Sequence, residues 1–195
     1  MHCTAHQPES PQAHKEHRMS STDPKAPYRL ATQTPETATG FMVEAFKRFP
    51  PQIGVPEPML LFSASPGLVE AQFAFFGYYG KHPHLSPELL AAIRYLASRV
   101  LNAPACLHFN GKLLNATGLA DAELNALPGT GGEFTPAERA LLDYVVLLMR
   151  DPSAVSDEII DGLRQHGWTD ADIMDASMQA ANMQTPALLL KALKR

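Results

Sequence analysis

The amino-acid sequence predicts an all-α fold of about seven or eight helices. Three observations carry this. Ser or Thr followed by Pro opens apolar segments at Thr34-Pro35, Ser65-Pro66, Ser86-Pro87 and Thr135-Pro136. Such a pair caps orphan N–H groups and seats Pro at the first helical position. The apolar residues behind these pairs recur at a 3.6-residue spacing. No segment alternates as a strand would, and no strand–helix–strand rhythm appears.

Each element follows from local signals. Thr34-Pro35-Glu36 is expected to open the first helix, with Phe41, Val43, Phe46 and Phe49 as its apolar set. Ser65-Pro66 opens the second, through Leu68, Phe73, Phe75 and Tyr78. Ser86-Pro87-Glu88 opens the third, with Leu89, Leu90, Ile93, Leu96, Ala97, Val100 and Leu101 in phase. The fourth starts near Pro104 and ends before Gly118, a C-cap residue. A short helix runs from Asp121 to Leu127. Thr135-Pro136-Ala137-Glu138 is a capping box. The helix behind it is apolar nearly all round, which places it centrally or at a subunit interface. Ser156 and Thr169 cap two more, and Thr185-Pro186 should break or kink the last. Gly129-Thr130-Gly131-Gly132 reads as a loop. It lacks the Lys-Ser/Thr ending of a phosphate cradle.

Composition narrows the classes. Of 195 residues, 45% are hydrophobic, enough for a sizeable core in one domain. A net charge of −4 without long like-charge blocks argues against a nucleic-acid partner. No apolar run approaches a membrane span, and the N-terminus has no apolar core of a secretory signal. Two cysteines, Cys3 and Cys106, fit a reducing compartment. The expectation is a cytoplasmic protein. Residues 1–33 read as a disordered tail, poor in aliphatic residues. Its His2, Cys3, His6, His14 and His17 match no zinc spacing. Met19 reads as a start of its own. The domain is expected over 34–195. No metal site and no cofactor site is predicted.

Three stretches carry a resemblance. They are GVPEPMLLFSASPGLVEA at 54–71, LSPELLAAIRYLASRVLNAPAC at 85–106, and a third set. The third joins GLADAELNAL from 118, FTPAERALLDY from 134 and VSDEIIDGLRQHGWTDADI from 155. Together they resemble the alkylhydroperoxidase-D-like and carboxymuconolactone-decarboxylase-like superfamily over roughly 40–195. The resemblance implies an all-helical bundle that assembles as a homo-oligomer (dimer, trimer or hexamer). It also implies thiol-dependent reduction of a small-molecule oxidant. The peroxidase branch carries Cys-x-x-Cys, a His four residues after the second Cys, and a Glu twelve before the first. A thiolate attacks peroxide, the second thiol resolves the sulfenic acid, and Glu and His relay protons.

Carried over position by position, Ala103 replaces the first Cys, Asn110 the His and Ala91 the Glu. Cys106 alone matches. Asn102 and Pro104 look like residues that often flank the family's cysteines. Cys106 falls in the first helical turn, where the macrodipole favours thiolate. It also reads as a small buried hydrophobe, the reading that the missing partners favour. Any turnover would need an external thiol reductant, because Ala103 cannot resolve a sulfenic acid. His108, two residues on, points about 200° away from Cys106, whereas Asn110 at i+4 shares its face. Glu88, one turn before Ala91, could reach in for the missing Glu. Its other role is to complement the helix dipole. His82 and His84 read as surface-loop residues, His166 and Trp168 as packing residues. Met174, Met178 and Met183 read as core or subunit interface. Two functions stay open: a single-cysteine peroxidase-like oxidoreductase, or an inactive scaffold that binds a small ligand or serves assembly. A lyase of the cysteine-free branch needs an acid or base that spacing does not supply.

Overall fold

The computed structural model describes residues 26–195. Its elements, in order, are α1 (Phe41–Lys47), α2 (Glu57–Phe62), α3 (Pro66–Tyr79), α4 (Pro87–Val100) and α5 (Pro104–Ala116). Then come α6 (Asp121–Ala126), α7 (Pro136–Arg150), a 3-10 turn at Pro152–Ala154, α8 (Asp157–Gln165), α9 (Asp170–Ala181) and α10 (Gln184–Leu193). Among the described residues there is no strand, only an isolated bridge between Tyr28 and Lys194.

Helix α4 is the axis, with α5, α7 and α9 packed around it. Ser86 starts it, its Oγ accepting from the Leu89 amide at 3.1 Å. Leu89, Leu90, Ile93 and Leu96 are buried in its flanks, and each such side chain stabilises by about 1.5–3 kcal/mol. Ala91, Ala92, Ala97 and Ser98 are buried between them, and their small side chains allow the neighbouring helices close in. Helix α7 is central, as its pattern predicts, burying Leu141, Leu142 and Val145 against α4 and α9. A satellite core of Met42, Phe46, Met59 and Val69 joins α1, α2 and α3.

Several expectations need correction. The helices number ten among the described residues, not seven or eight. Thr34-Pro35-Glu36 forms only a turn, and α1 begins at Phe41 behind Gly40. Helix α2 escaped notice because it is six residues long and has no side-chain cap. The break near the C-terminus lies at Asn182–Met183, upstream of Pro186, which sits in the first turn of α10. There a missing N–H costs nothing. Ser65 and Ser156 occupy N-cap positions without a side-chain cap bond.

The domain boundary also moves. Tyr28 is buried with Leu61 and Leu190, and the Arg29 amide donates to Leu193 O at 2.8 Å. The packed chain therefore starts before residue 34. The rest of the expected tail, with Cys3, Met19 and the four histidines, lies outside the described residues. The glycine loop is organised by a cation. The Arg139 guanidinium donates to carbonyls of Pro128, Gly129, Gly131 and Gly132. Carbonyls turned inward are the opposite of a phosphate cradle. No helix among the described residues is long and apolar enough to cross a membrane.

The capping geometry gives a test. The Thr135 hydroxyl accepts from the Glu138 amide at 3.2 Å, while Ser65 makes no such bond. Thr135→Ala should lower unfolding stability by about 1 kcal/mol. Ser65→Ala should change it by less than ~0.5 kcal/mol. Denaturant titration of both variants checks the difference.

Candidate functional site

The connection between α4 and α5 places the cysteine. Asn102 ends α4 with φ at 50°, a left-handed value that Asn tolerates better than most residues. The Ala103 amide then donates to Ser98 O at 2.9 Å, and Pro104 opens α5. The Asn-x-Pro pattern is thus a backbone corner. Asn102 is exposed at the corner and takes no part in a polar cluster.

Cys106 lies in the first turn of α5 and is 4% exposed. Burial pushes its thiol up, with a further push from the Glu57 carboxylate on α2, to about 11. This is opposite to the shift expected from the helix dipole. The dipole is worth roughly 0.3–1 kcal/mol. One pKa unit is about 1.4 kcal/mol, so desolvation outweighs it. Glu57 itself is held by Lys194, whose Nζ lies 2.5 Å from Oε1.

His108 is exposed, turned away from Cys106 as helical phase requires. Asn110 is buried on the Cys106 side. Its Nδ2 donates to the Cys106 carbonyl oxygen at 2.9 Å, not to sulfur. Its Oδ1 accepts from Arg94 Nε at 3.0 Å. Glu88 is half-buried in the first turn of α4 and makes no side-chain hydrogen bond or ion pair among the described residues. Ala91 is buried in the core. Of the five residues singled out in the sequence, only Cys106 and Asn110 come together.

Two features were not anticipated. The first is Arg94, one turn beyond Ala91 on α4. Besides Asn110 it reaches Gln179 on α9, with Nη1 donating to Oε1 at 3.4 Å. Both partners are neutral amides. Burial lowers its pKa to about 10. The signal in the sequence was an arginine inside a strongly apolar helix.

The second is the loop after α3, where His82 is not a surface residue. Its side chain is 4% exposed. The Leu85 amide donates to His82 Nδ1 at 2.9 Å, so the ring carries its proton on Nε2 and donates to Asp175 Oδ2 at 3.1 Å. The Tyr78 hydroxyl donates to the same oxygen at 2.6 Å. His84 is more open and pairs with Asp172 at 3.0 Å. Burial raises the Asp172 carboxyl, but Thr169 and His84 outweigh it and hold the group below its ordinary value. Among the described residues, no hydrogen bond or ion pair joins either histidine to Cys106. These pairs tie the loop after α3 to α9 across about ninety residues of sequence, which no local spacing reveals.

Trp168 packs as expected, its Nε1 donating to Ala137 O at 2.9 Å, while His166 is exposed. Met174 and Met178 are exposed on α9 and are not core residues. No set of three or more His, Cys, Asp or Glu side chains is placed to hold a metal among the described residues. Two surface concavities, one around Tyr144 and Ile159 and one around Thr135 and Trp168, include neither Cys106 nor Arg94.

This arrangement defines the class: an all-helical fold of the alkylhydroperoxidase-D-like type. A crystal structure of an uncharacterised peroxidase-related protein from Silicibacter sp. TM1040 superposes with a TM-score of 0.70 at 18% identity. The match covers 88% of this chain and 92% of that one. A second, an alkylhydroperoxidase AhpD core described as an uncharacterised peroxidase-related protein from Ralstonia eutropha JMP134, gives 0.69 at 19% identity. It covers 86% of this chain and 90% of the other. No protein-family model matches the chain, and no curated protein does.

Cys106 gives two linked tests. Its folded pKa of about 11 lies above its ordinary value of 9.0. The protonated thiol therefore stabilises the fold fully below pH 9.0, and this stability is lost as pH rises through about 11. Reaction with a disulfide reagent should be slow at pH 7, rise toward pH 11, and become fast at pH 7 in denaturant. Fast labelling of the native protein at pH 7 contradicts the burial argument.

Proposed function

We propose that this chain is a small-ligand-binding form of the alkylhydroperoxidase-D-like scaffold that does not turn over peroxide. The observation that carries this is the Cys106 thiol, closed in and pushed up to about 11. At pH 7 that leaves on the order of one thiol in 10,000 ionised. Ala103, Asn110 and Ala91 supply neither a resolving thiol nor a proton relay. The amide-bound Arg94 stands beside these positions instead, a group suited to binding.

Peroxide consumption tests it. With hydrogen peroxide and an external dithiol, loss of peroxide should match the dithiol alone, and Cys106→Ala should change nothing. Cys106-dependent turnover restores the single-cysteine oxidoreductase reading.

We also propose that the protein is a cytoplasmic homo-oligomer assembled through α3 and α9. Leu68, Phe76 and Tyr78 on α3 and Met174 and Met178 on α9 are exposed. Tyr78 and Asp175 join the two helices into one face. Phe76→Asp combined with Met174→Asp should yield monomers in light scattering while helical content is kept. A wild-type monomer removes the proposal.

A further inference from the structure

We infer that Arg94 anchors a binding site for a small carboxylate monoanion. This rests on the reading of the protein as a ligand-binding scaffold and names the ligand class.

The guanidinium is positioned before any ligand arrives. Nε is fixed by Asn110, whose other end is held by the Cys106 carbonyl. Nη1 is fixed by Gln179, whose amide lies beside the Tyr79 hydroxyl. That hydroxyl donates to Asp175 O at 3.2 Å. One polar chain thus runs through α5, α4, α9 and α3, and Asn110 and Gln179 are both buried within it. The site is built from four helices, and a loop cannot rearrange it.

The cation is held without a counter-charge. Both partners are amides, and no Asp or Glu forms an ion pair with Arg94 among the described residues. The acid one turn away on α9, Asp175, is already taken by Tyr78 and His82. A partly desolvated cation without an anion is costly. Arginine has five N–H donors, and these bonds use two. The Nη2 group carries neither of these bonds and is not fully buried. Arg94 is half-buried, and Gln72 Oε1 is the one fully buried side-chain N or O atom without a partner among the described residues.

These features select a ligand. A planar guanidinium matches a carboxylate with two parallel hydrogen bonds. One cation balances one negative charge. Arg99, on the same helix, donates to Leu127 O at 2.6 Å, and Arg48 lies over the Phe73 ring. Neither supplies the second cation that a phosphate dianion would use.

The test uses the full chain at constant ionic strength. Acetate and benzoate are titrated by calorimetry and thermal unfolding, with acetamide, benzamide and phosphate as comparisons. The carboxylates should bind and raise the unfolding temperature. The neutral amides should not bind, and phosphate should bind more weakly. Arg94→Gln should weaken carboxylate binding about 10- to 100-fold. Gln179→Glu places a carboxylate beside the guanidinium from within. It should raise the unfolding temperature and abolish acetate binding. That variant decides the matter where Arg94→Gln does not fold. Three results overturn the inference: no carboxylate binding by the wild type, unchanged binding in Gln179→Glu, or tighter binding of phosphate. Equal binding of benzamide and benzoate removes the anion but leaves a ligand-binding scaffold. Cys106-dependent peroxide turnover removes that function and leaves carboxylate binding to stand on its own result.

Discussion

The fold depends on burying α4 on almost every side. Helices α5, α7 and α9 all lean on it, and its small residues set how near they come. A helix so enclosed tolerates no uncompensated polar group. Yet it carries Arg94 at mid-length. The guanidinium is kept because α5 and α9 each turn an amide toward it. Asn110 and Gln179 are buried polar residues for this reason. Their own remaining atoms are met by the Cys106 carbonyl and the Tyr79 side. One charge in the central helix dictates the polar content of its neighbours.

The same constraint shapes the surroundings of Cys106. Ala91 is buried on α4, and the next turn supplies Arg94. An arginine at that level rewards a buried amide acceptor on the adjoining helix. Asn110 is that acceptor. Arg94 and Asn110 therefore form one polar pair on adjacent helices. Asn102 and Pro104 have a different role. They make the corner that starts α5, whatever chemistry follows.

Legibility in the sequence followed the range of the interaction. Helices α4, α7 and α9 announced themselves through Ser86, Thr135 and Thr169, whose hydroxyls bond amides three residues on. Helix α2 had no such bond, and the Asn182–Met183 break had no punctuation at its own position. The phase argument placed His108 outward and Asn110 inward because both belong to one helix. Arg94 shows no local signature of a site, because its amide partners stand on α5 and α9. The partners of His82 and His84 stand on α9, far along the chain, so only the folded structure brings them together. Tyr28 reads as part of a polar tail until the C-terminal Lys194 segment pairs with it.

The charges around α5 are arranged against thiol chemistry. A nucleophilic cysteine needs a cation beside sulfur to favour the thiolate. Here the cation is one helix away, held by the Asn110 oxygen. The Asn110 amide, which could have stabilised a thiolate, goes to the Cys106 backbone. The charged group acting on the sulfur is Glu57, a carboxylate, which holds the proton on. Moving the guanidinium to the thiol would take a different rotamer of Arg94 and break both amide bonds in a packed interior. The structure thus holds the cation and the thiol apart. The cation is held by two amides, and the thiol is left as core.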